Sequence, residues 1–160
     1  MPATRTVLGI GDLAIQQGGE VVTHALGSCL GIIIQDPFRR IGGMAHAQFP
    51  DARRLGARGE GRPGLAVDTA LPALIAGLVA AGGDRRRLHL AVAGGGNPTG
   101  AGGAFDIGAQ NTTAFRRVCW QLGLLVEIAD LGGRDPRTLT VDLDTGGIVV
   151  ASLGTVRRLR

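Results

Sequence analysis

The sequence predicts an α/β domain with more strand than helix and a mixed rather than purely parallel sheet, and three observations carry that expectation. Short β-rich runs separated by glycines fill the first third, two later runs place apolar residues at helical spacing, and several strand pairs lie at hairpin distance. With 160 residues, 44% of them hydrophobic and 19% charged, the chain is expected to form one domain over 1–160 around its own core. Glycine is over-used: 28 residues, where average usage of about 7% would supply fewer than half as many, so tight turns or close backbone approaches must be frequent.

In chain order, strands are expected at Thr6–Ile10, Glu20–Leu26, Leu30–Gln35 and Ile41–Phe49, the last two joined by the turn residues Asp36-Pro37-Phe38-Arg39-Arg40. The run Gly31-Ile32-Ile33-Ile34 has no polar face and reads as a strand buried on both sides. Residues 51–64, rich in Arg and Gly with Leu55 as the one large apolar side chain, read as a mobile exposed loop. Asp68 then reads as a helix N-cap, followed by Leu71, Leu74, Ile75, Leu78 and Val79 on one face, with Pro72 in the first turn and Gly82-Gly83 as the stop. A second helix is carried by Phe115, Val118, Cys119 and Leu122 and ends at Gly123. Further strands are expected at Leu88–Ala93, Leu124–Ile128, Leu139–Leu143 and Ile148–Leu153, the last pair turning through Asp144-Thr145-Gly146-Gly147.

Composition excludes several functions. Four Phe, one Trp and no Tyr are too few rings for a base-stacking surface, so no nucleic-acid partner is expected. The net charge of +4 comes entirely from arginine, and Arg53, Arg54, Arg58, Arg62 and Arg85 to Arg87 read as loop charge. Gly94-Gly95-Gly96-Asn97-Pro98-Thr99-Gly100 lacks the lysine of a phosphate loop and reads as a tight backbone turn; Gly9-x-Gly11-x-x-Ala14 has no amphipathic helix after it to make a dinucleotide site. With no His-Glu-x-x-His and no close cysteine pair, neither cofactor nor metal is expected. The absence of a spanning segment or signal-peptide pattern places the protein in the cytoplasm, where Cys29 and Cys119, 90 positions apart, are read as thiols.

Chemistry concentrates in Thr23-His24-Ala25-Leu26-Gly27-Ser28-Cys29 and in Gly43-Met44-Ala45-His46. If 23–29 runs extended, its period of two puts Thr23 and Cys29 on one face and His24 on the other. Small neighbours, Gly27 and Ser28, would leave the Cys29 sulfur reachable and let backbone N–H groups meet a carbonyl oxygen. A free thiol is only a few per cent ionised at pH 7, so a nucleophilic Cys29 needs a base, and His46 is the candidate. The same residues also read as a small buried hydrophobe and a hydrogen-bonded core histidine. A third reading gathers Cys29, His46 and His24 into a metal site.

Ala25-Leu26-Gly27-Ser28-Cys29, Met44-Ala45-His46 ending at Phe49-Pro50, and Asp68-Thr69-Ala70-Leu71-Pro72 together resemble the CheD family of chemoreceptor glutamine deamidases in order and spacing. Gly95-Gly96-Asn97, Ile107-Gly108 with Asn111, Asp130-x-Gly132-Gly133 with Arg137, and Thr145-Gly146 extend the resemblance over nearly the whole chain. It implies a layered α/β sandwich with a mixed sheet and about two main helices. It also implies hydrolysis of selected glutamine side chains in the cytoplasmic helices of methyl-accepting chemotaxis receptors to glutamate and ammonia. The family triad falls on Cys29, His46 and Thr23, with Ser28 and Gly27 supporting the oxyanion, and a CheC-type phosphatase is the implied partner. Pro98-Thr99, Gln110 and Pro136 depart from the family pattern, which puts partner contacts rather than the triad in question. Two other functions compete: a non-catalytic module that binds such a phosphatase or receptor, and a glutamyl methylesterase using the same Cys/His pair.

Overall fold

The computed structural model describes residues 4–160; residues 1–3, the start of the N-terminal segment read for a signal peptide, lie outside them. Among the described residues, ten strands and two α-helices build three layers. One sheet has the order β1-β3-β8-β9-β10 and consists of Arg5–Leu8, Glu20–Leu26, Arg137–Asp142, Gly147–Ser152 and Thr155–Arg158. The other has the order β2-β5-β4-β6-β7 and consists of Leu13–Gln17, Ile41–Ala47, Leu30–Asp36, His89–Gly94 and Ile128–Leu131. Both are mixed, because β1 with β3 and β6 with β7 are parallel and every other pairing is antiparallel. The α/β sandwich with a mixed sheet and two helices is therefore what forms, with two mixed sheets in place of one.

The strand β4 is the centre of the molecule, buried at every position. Ile32 and Ile34 point to a core shared with α1 (Val67–Ala80) and α2 (Ile107–Leu122), while Ile33 points to the core between the sheets with Leu139, Val141 and Val150. A strand with apolar side chains on both faces can be satisfied only by a layer on each side, and the sequence run 31–34 demanded that. The helix α2 connects the parallel strands β6 and β7, as a crossover must.

Several element bounds differ from those the sequence suggests. The helix α1 begins at Val67 with Ala66 as N-cap; Asp68 accepts from the Ala52 N–H at 2.9 Å and so ties the preceding loop to the helix instead of capping it. Pro72 is consequently the sixth helical residue, past the first turn, and Val79 is half exposed. Residues 124–127 form an irregular segment after the Gly123 cap of α2, so β7 starts at Ile128. The strands β2 and β10 were not expected, since β2 reads Leu-Ala-Ile-Gln-Gln and β10 is exposed throughout. Residues 52–65 hold three 3-10 turns, with Leu55 buried against Leu65 and Ala66.

The arginines at 85–87 are bound within the fold. Arg85 donates to the Leu122 carbonyl at 2.8 Å, Arg86 pairs with Asp84 at 2.9 Å, and Arg87 pairs at 3.0 Å with Asp36 at the end of β4. Burial by itself would raise the Asp36 carboxyl, but hydrogen bonds from Arg87 and from the backbone N–H groups of Asp84 and Arg39 outweigh it and hold the group below its ordinary value. Its contribution is thus present above the ordinary carboxylate range and is lost as pH falls through the lowered value. Asp36→Ala is expected to cost about 2–3 kcal/mol in urea unfolding at pH 7, because two backbone donors and a guanidinium lose one acceptor. An unchanged urea midpoint would show that water replaces the carboxylate without loss.

Candidate active site

The strands β3, β4 and β5 bring the sequence's candidates to the space between the two sheets. Thr23 lies on the inner face of β3 and is fully buried, whereas His24 lies on the outer face, exposed, 3.2 Å from the Thr138 hydroxyl. His24 therefore stands apart from Cys29 and His46, and the three-residue metal cluster does not assemble. The segment 23–29 does not run extended to its end. Ala25 takes a left-handed conformation (φ 57°), the pairing with β8 shifts register between Thr23 and Leu26, and the chain crosses to the second sheet through Gly27 and Ser28. Thr23 and Cys29 still share one side, but they do so across two facing sheets, not by alternation along one strand.

In β5, His46 pairs with Gly31 of β4, and Cys29 lies two residues before Gly31, so both side chains emerge on the inner face at diagonal positions. Gly31 is the empty place between them and β3. A Cβ there would lie 2.7 Å from Leu139 Cδ2 and 2.9 Å from Leu26 Cδ1, which is too close for any larger residue. Cys29 is 8% exposed and His46 2% exposed.

The hydrogen bonds define the tautomer of His46. The Thr23 hydroxyl donates its one proton to the Leu8 carbonyl at 2.9 Å, so its 2.7 Å contact with His46 Nδ1 must be an N–H donated by the ring. Nε2 then carries the lone pair, and it has no hydrogen-bond partner among the described residues. Burial lowers the His46 pKa, opposed in part by the negative charge of Asp12, and burial pushes the Cys29 thiol up to about 11. The resting pair is a neutral imidazole and a neutral thiol, with no hydrogen bond between them.

Asp12 was not singled out from the sequence. The His46 N–H donates to the Asp12 carbonyl at 3.0 Å, and the Gly11 N–H donates to the His46 carbonyl at 2.8 Å, so the turn 9–12 crosses β5 at His46. The Gly9 N–H, 2.8 Å from the Asp12 carboxylate, holds that side chain in place. Its signal depends on β2 pairing with β5, which no local pattern announces.

The three carbonyls before β4 are all held. Gly27 accepts from the Gly96 N–H at 2.8 Å, Ser28 from Asn111 Nδ2 at 3.0 Å and Cys29 from the Gly95 N–H at 2.9 Å. The N–H groups of Ser28 and Cys29 donate to no carbonyl or side-chain oxygen among the described residues; that of Cys29 meets only its own sulfur, which offsets a little of the effect of burial on the thiol. Two adjacent amides with no oxygen acceptor, beside a thiol, are what an oxyanion requires. The glycines from Gly94 to Gly96 thus brace the cysteine loop: a Cβ on Gly94 would fall 2.1 Å from the Cys29 carbonyl oxygen. The run of glycines after an apolar strand was the available signal, since glycine permits close backbone approach. A depression of about 190 Å³ beside the loop is lined by Ser28, Asn97, Pro98, Phe105 and Ile107.

The second thiol, Cys119, is buried in the core between α2 and the sheet, where its helical spacing placed it.

Fold and site together define a class of protein: a two-sheet α/β sandwich with helices on one side and a Cys, His and Thr constellation between the sheets. The family model for CheD chemotactic sensory transduction matches residues 49–152, and the chain belongs to that family. It is 40% identical over 147 residues to a probable chemoreceptor glutamine deamidase CheD 2 of Anaeromyxobacter dehalogenans, covering 91% of this chain and 92% of the relative. It is 35% identical over 155 residues to a probable chemoreceptor glutamine deamidase CheD of Solibacter usitatus, covering 96% and 92%. With the chemoreceptor glutamine deamidase CheD of Thermotoga maritima it shares 32% identity over 151 residues, covering 94% and 93%. Among the described residues no helix is long and apolar enough to cross a membrane.

Proposed function

We propose that this protein hydrolyses the side-chain amide of glutamine residues in the cytoplasmic helices of chemotaxis receptors, giving glutamate and ammonia. The observation that carries the reading is the 2.7 Å contact of Thr23 with His46 Nδ1, which leaves Nε2 unprotonated on the same inner face as the Cys29 thiol. Membership of the CheD family and the deamidase names of its relatives support the substrate.

With the thiol raised to about 11 and the imidazole neutral, Cys29 reacts as base-assisted thiol and not as a standing thiolate. His46 Nε2 takes the Sγ proton as sulfur attacks the carboxamide carbon, and the oxyanion is met by the N–H groups of Ser28 and Cys29. The C–N bond breaks as His46 returns the proton to the departing nitrogen, releasing ammonia and leaving a thioester on Cys29. Water, losing a proton to His46, then opens the thioester to glutamate, and Sγ recovers its proton. Gly27 supports this loop as the residue whose carbonyl Gly96 holds and whose missing side chain leaves room for Pro98, 3.3 Å from where its Cβ would be.

Thr23 holds the ring without charge, so its loss is expected to cost less than loss of the base. Thr23→Val should lower kcat by about 10- to 100-fold, comparable with what general acid–base positioning contributes. Equal activity in Thr23→Val and wild type would remove the orienting role. The pH profile supplies a second test. Activity should rise through the lowered pKa of His46, below the ordinary histidine range, and stay level into the alkaline range. Asp12→Asn should move that acid limb to lower pH, because it removes the negative charge that favours imidazolium.

The experiment that tests the function is mass spectrometry of a receptor cytoplasmic fragment incubated with the protein, read for glutamine-to-glutamate conversion together with released ammonia. Conversion in step with ammonia is the expected result. A folded protein that converts nothing in several receptors, yet binds them or a CheC-type phosphatase, would establish the binding-module reading instead. A CheC-type partner belongs to the proposal as a second ligand of the surface beside Pro98, and a cytoplasmic location follows from the substrate.

A further inference from the structure

We infer that Asn111 is the positioning residue of the oxyanion site, acting through the Ser28–Cys29 peptide. The inference rests on the reading of Cys29 as nucleophile and adds a residue on a different element. Asn111 projects from α2, is fully buried, and uses one amide nitrogen twice: Nδ2 lies 3.0 Å from the Ser28 carbonyl and 3.1 Å from the Gln48 carbonyl. Gln48 follows β5 and stands where the β4–β5 register, extended by one step beyond Leu30 and Ala47, opposes Cys29. Asn111 therefore clamps the two backbone segments on which Cys29 and His46 are carried.

A peptide unit is planar and trans, so its carbonyl and its N–H point in opposite directions. Fixing the Ser28 carbonyl on Asn111 therefore fixes the Cys29 N–H, which points away from α2 and, its own residue's sulfur apart, has no acceptor among the described residues. The neighbouring carbonyls of Gly27 and Cys29 are held by backbone amides, so the middle one alone depends on a side chain. Asn111 Oδ1, meanwhile, is buried without a partner among the described residues. The place of the side chain is set by the two carbonyls on Nδ2 and not by any bond to its oxygen. The nitrogen end is the useful end.

Oxyanion stabilisation requires donors already aimed where charge develops. Loosening the peptide removes that aim while the thiol and its base stay chemically unchanged. Asn111→Ala is accordingly expected to lower kcat by about 10- to 100-fold with KM changed less than about threefold, somewhat less than the effect of deleting an oxyanion donor outright. The rate of Cys29 alkylation by iodoacetamide, a displacement that forms no oxyanion, should stay within about twofold of wild type. Asn111→Ser, too short to span both carbonyls, should behave similarly and provides a second variant if Asn111→Ala unfolds.

The wild-type and Cys29→Ala proteins, assayed on the same receptor fragment, test the underlying reading. The amide NMR signal of Cys29 tests the clamp with no substrate present: it should be sharp in wild type and exchange-broadened or shifted in the Asn111 variants. Unchanged Cys29 amide signals, or kcat within twofold of wild type in a folded variant, would overturn the assignment. Alkylation slowed in proportion to kcat would overturn it too, by showing that Asn111 acts on the thiol.

Discussion

Cys29→Ala protein should leave every receptor glutamine unconverted while unfolding in urea within about 1 kcal/mol of wild type, since only one small, buried sulfur is lost. The expected fall in rate is about 10⁴-fold or more, the scale on which removal of a nucleophile stops acyl transfer. His46→Ala should fall nearly as far, because a thiol raised to about 11 offers almost no thiolate at neutral pH without a base. The two losses should not add, because the proposed mechanism makes both residues partners in one proton-coupled attack. The contrast with Thr23→Val is diagnostic: a base and nucleophile that are indispensable, and an orienting hydroxyl that is not. Residual conversion by Cys29→Ala above the uncatalysed rate would mean another group attacks the amide, and the assignment of the nucleophile would fail.

Gly43→Ala is expected to cost more than about 3 kcal/mol or to prevent folding, an unusually large effect for one methyl group. Gly43 lies in β5 opposite Ile15 of β2, and a Cβ on it would fall 1.8 Å from the Ala14 carbonyl oxygen and 3.0 Å from Ile15 Cα. These are backbone atoms of a paired strand, so no side-chain rotation relieves the contact. The strand β2 would have to leave β5, taking with it the packing of Ile15 on α1 at Gly77 and the turn 9–12 that pairs with His46. Stability and activity should therefore fall together, measured by urea unfolding and receptor deamidation on the same preparation. A folded Gly43→Ala protein with an unchanged midpoint would show that β2 is held less closely than this geometry requires.

Part of the candidate site was legible in the amino-acid sequence. Cys29 and His46 stood out because a thiol and a base lie among small residues in otherwise apolar strands, while the third place, Thr23, came from the resemblance to the CheD family. What was not legible were the groups that reach the candidate site from other elements. Asn111 sits in the first half of a helix whose apolar spacing becomes evident only from Phe115 onward, and its partners are carbonyls 83 and 63 positions away. Asp12 meets His46 through a strand that lacks a clear alternating pattern. The arginines at 85–87 looked like loop charge because Asp36, the buried partner of Arg87, is 51 positions earlier.

The sequence by itself determined that this chain folds as one strand-rich α/β domain, that β4 is buried on both faces, that α2 ends at Gly123, and that Cys119 belongs to the core. Those properties follow from local composition: apolar runs with no polar face need cover, and a glycine tolerates the left-handed backbone that ends a helix. The tertiary structure decided the rest. It split the strands into two sheets, crossed the chain between them at Ala25 to Ser28, fixed the His46 tautomer through Thr23 and Leu8, and left the Ser28 and Cys29 amides without an oxygen acceptor among the described residues. The physical reason is that a hydrogen bond depends on distance and direction between atoms remote in the chain, whereas sequence periodicity reports only which side of one element a residue occupies.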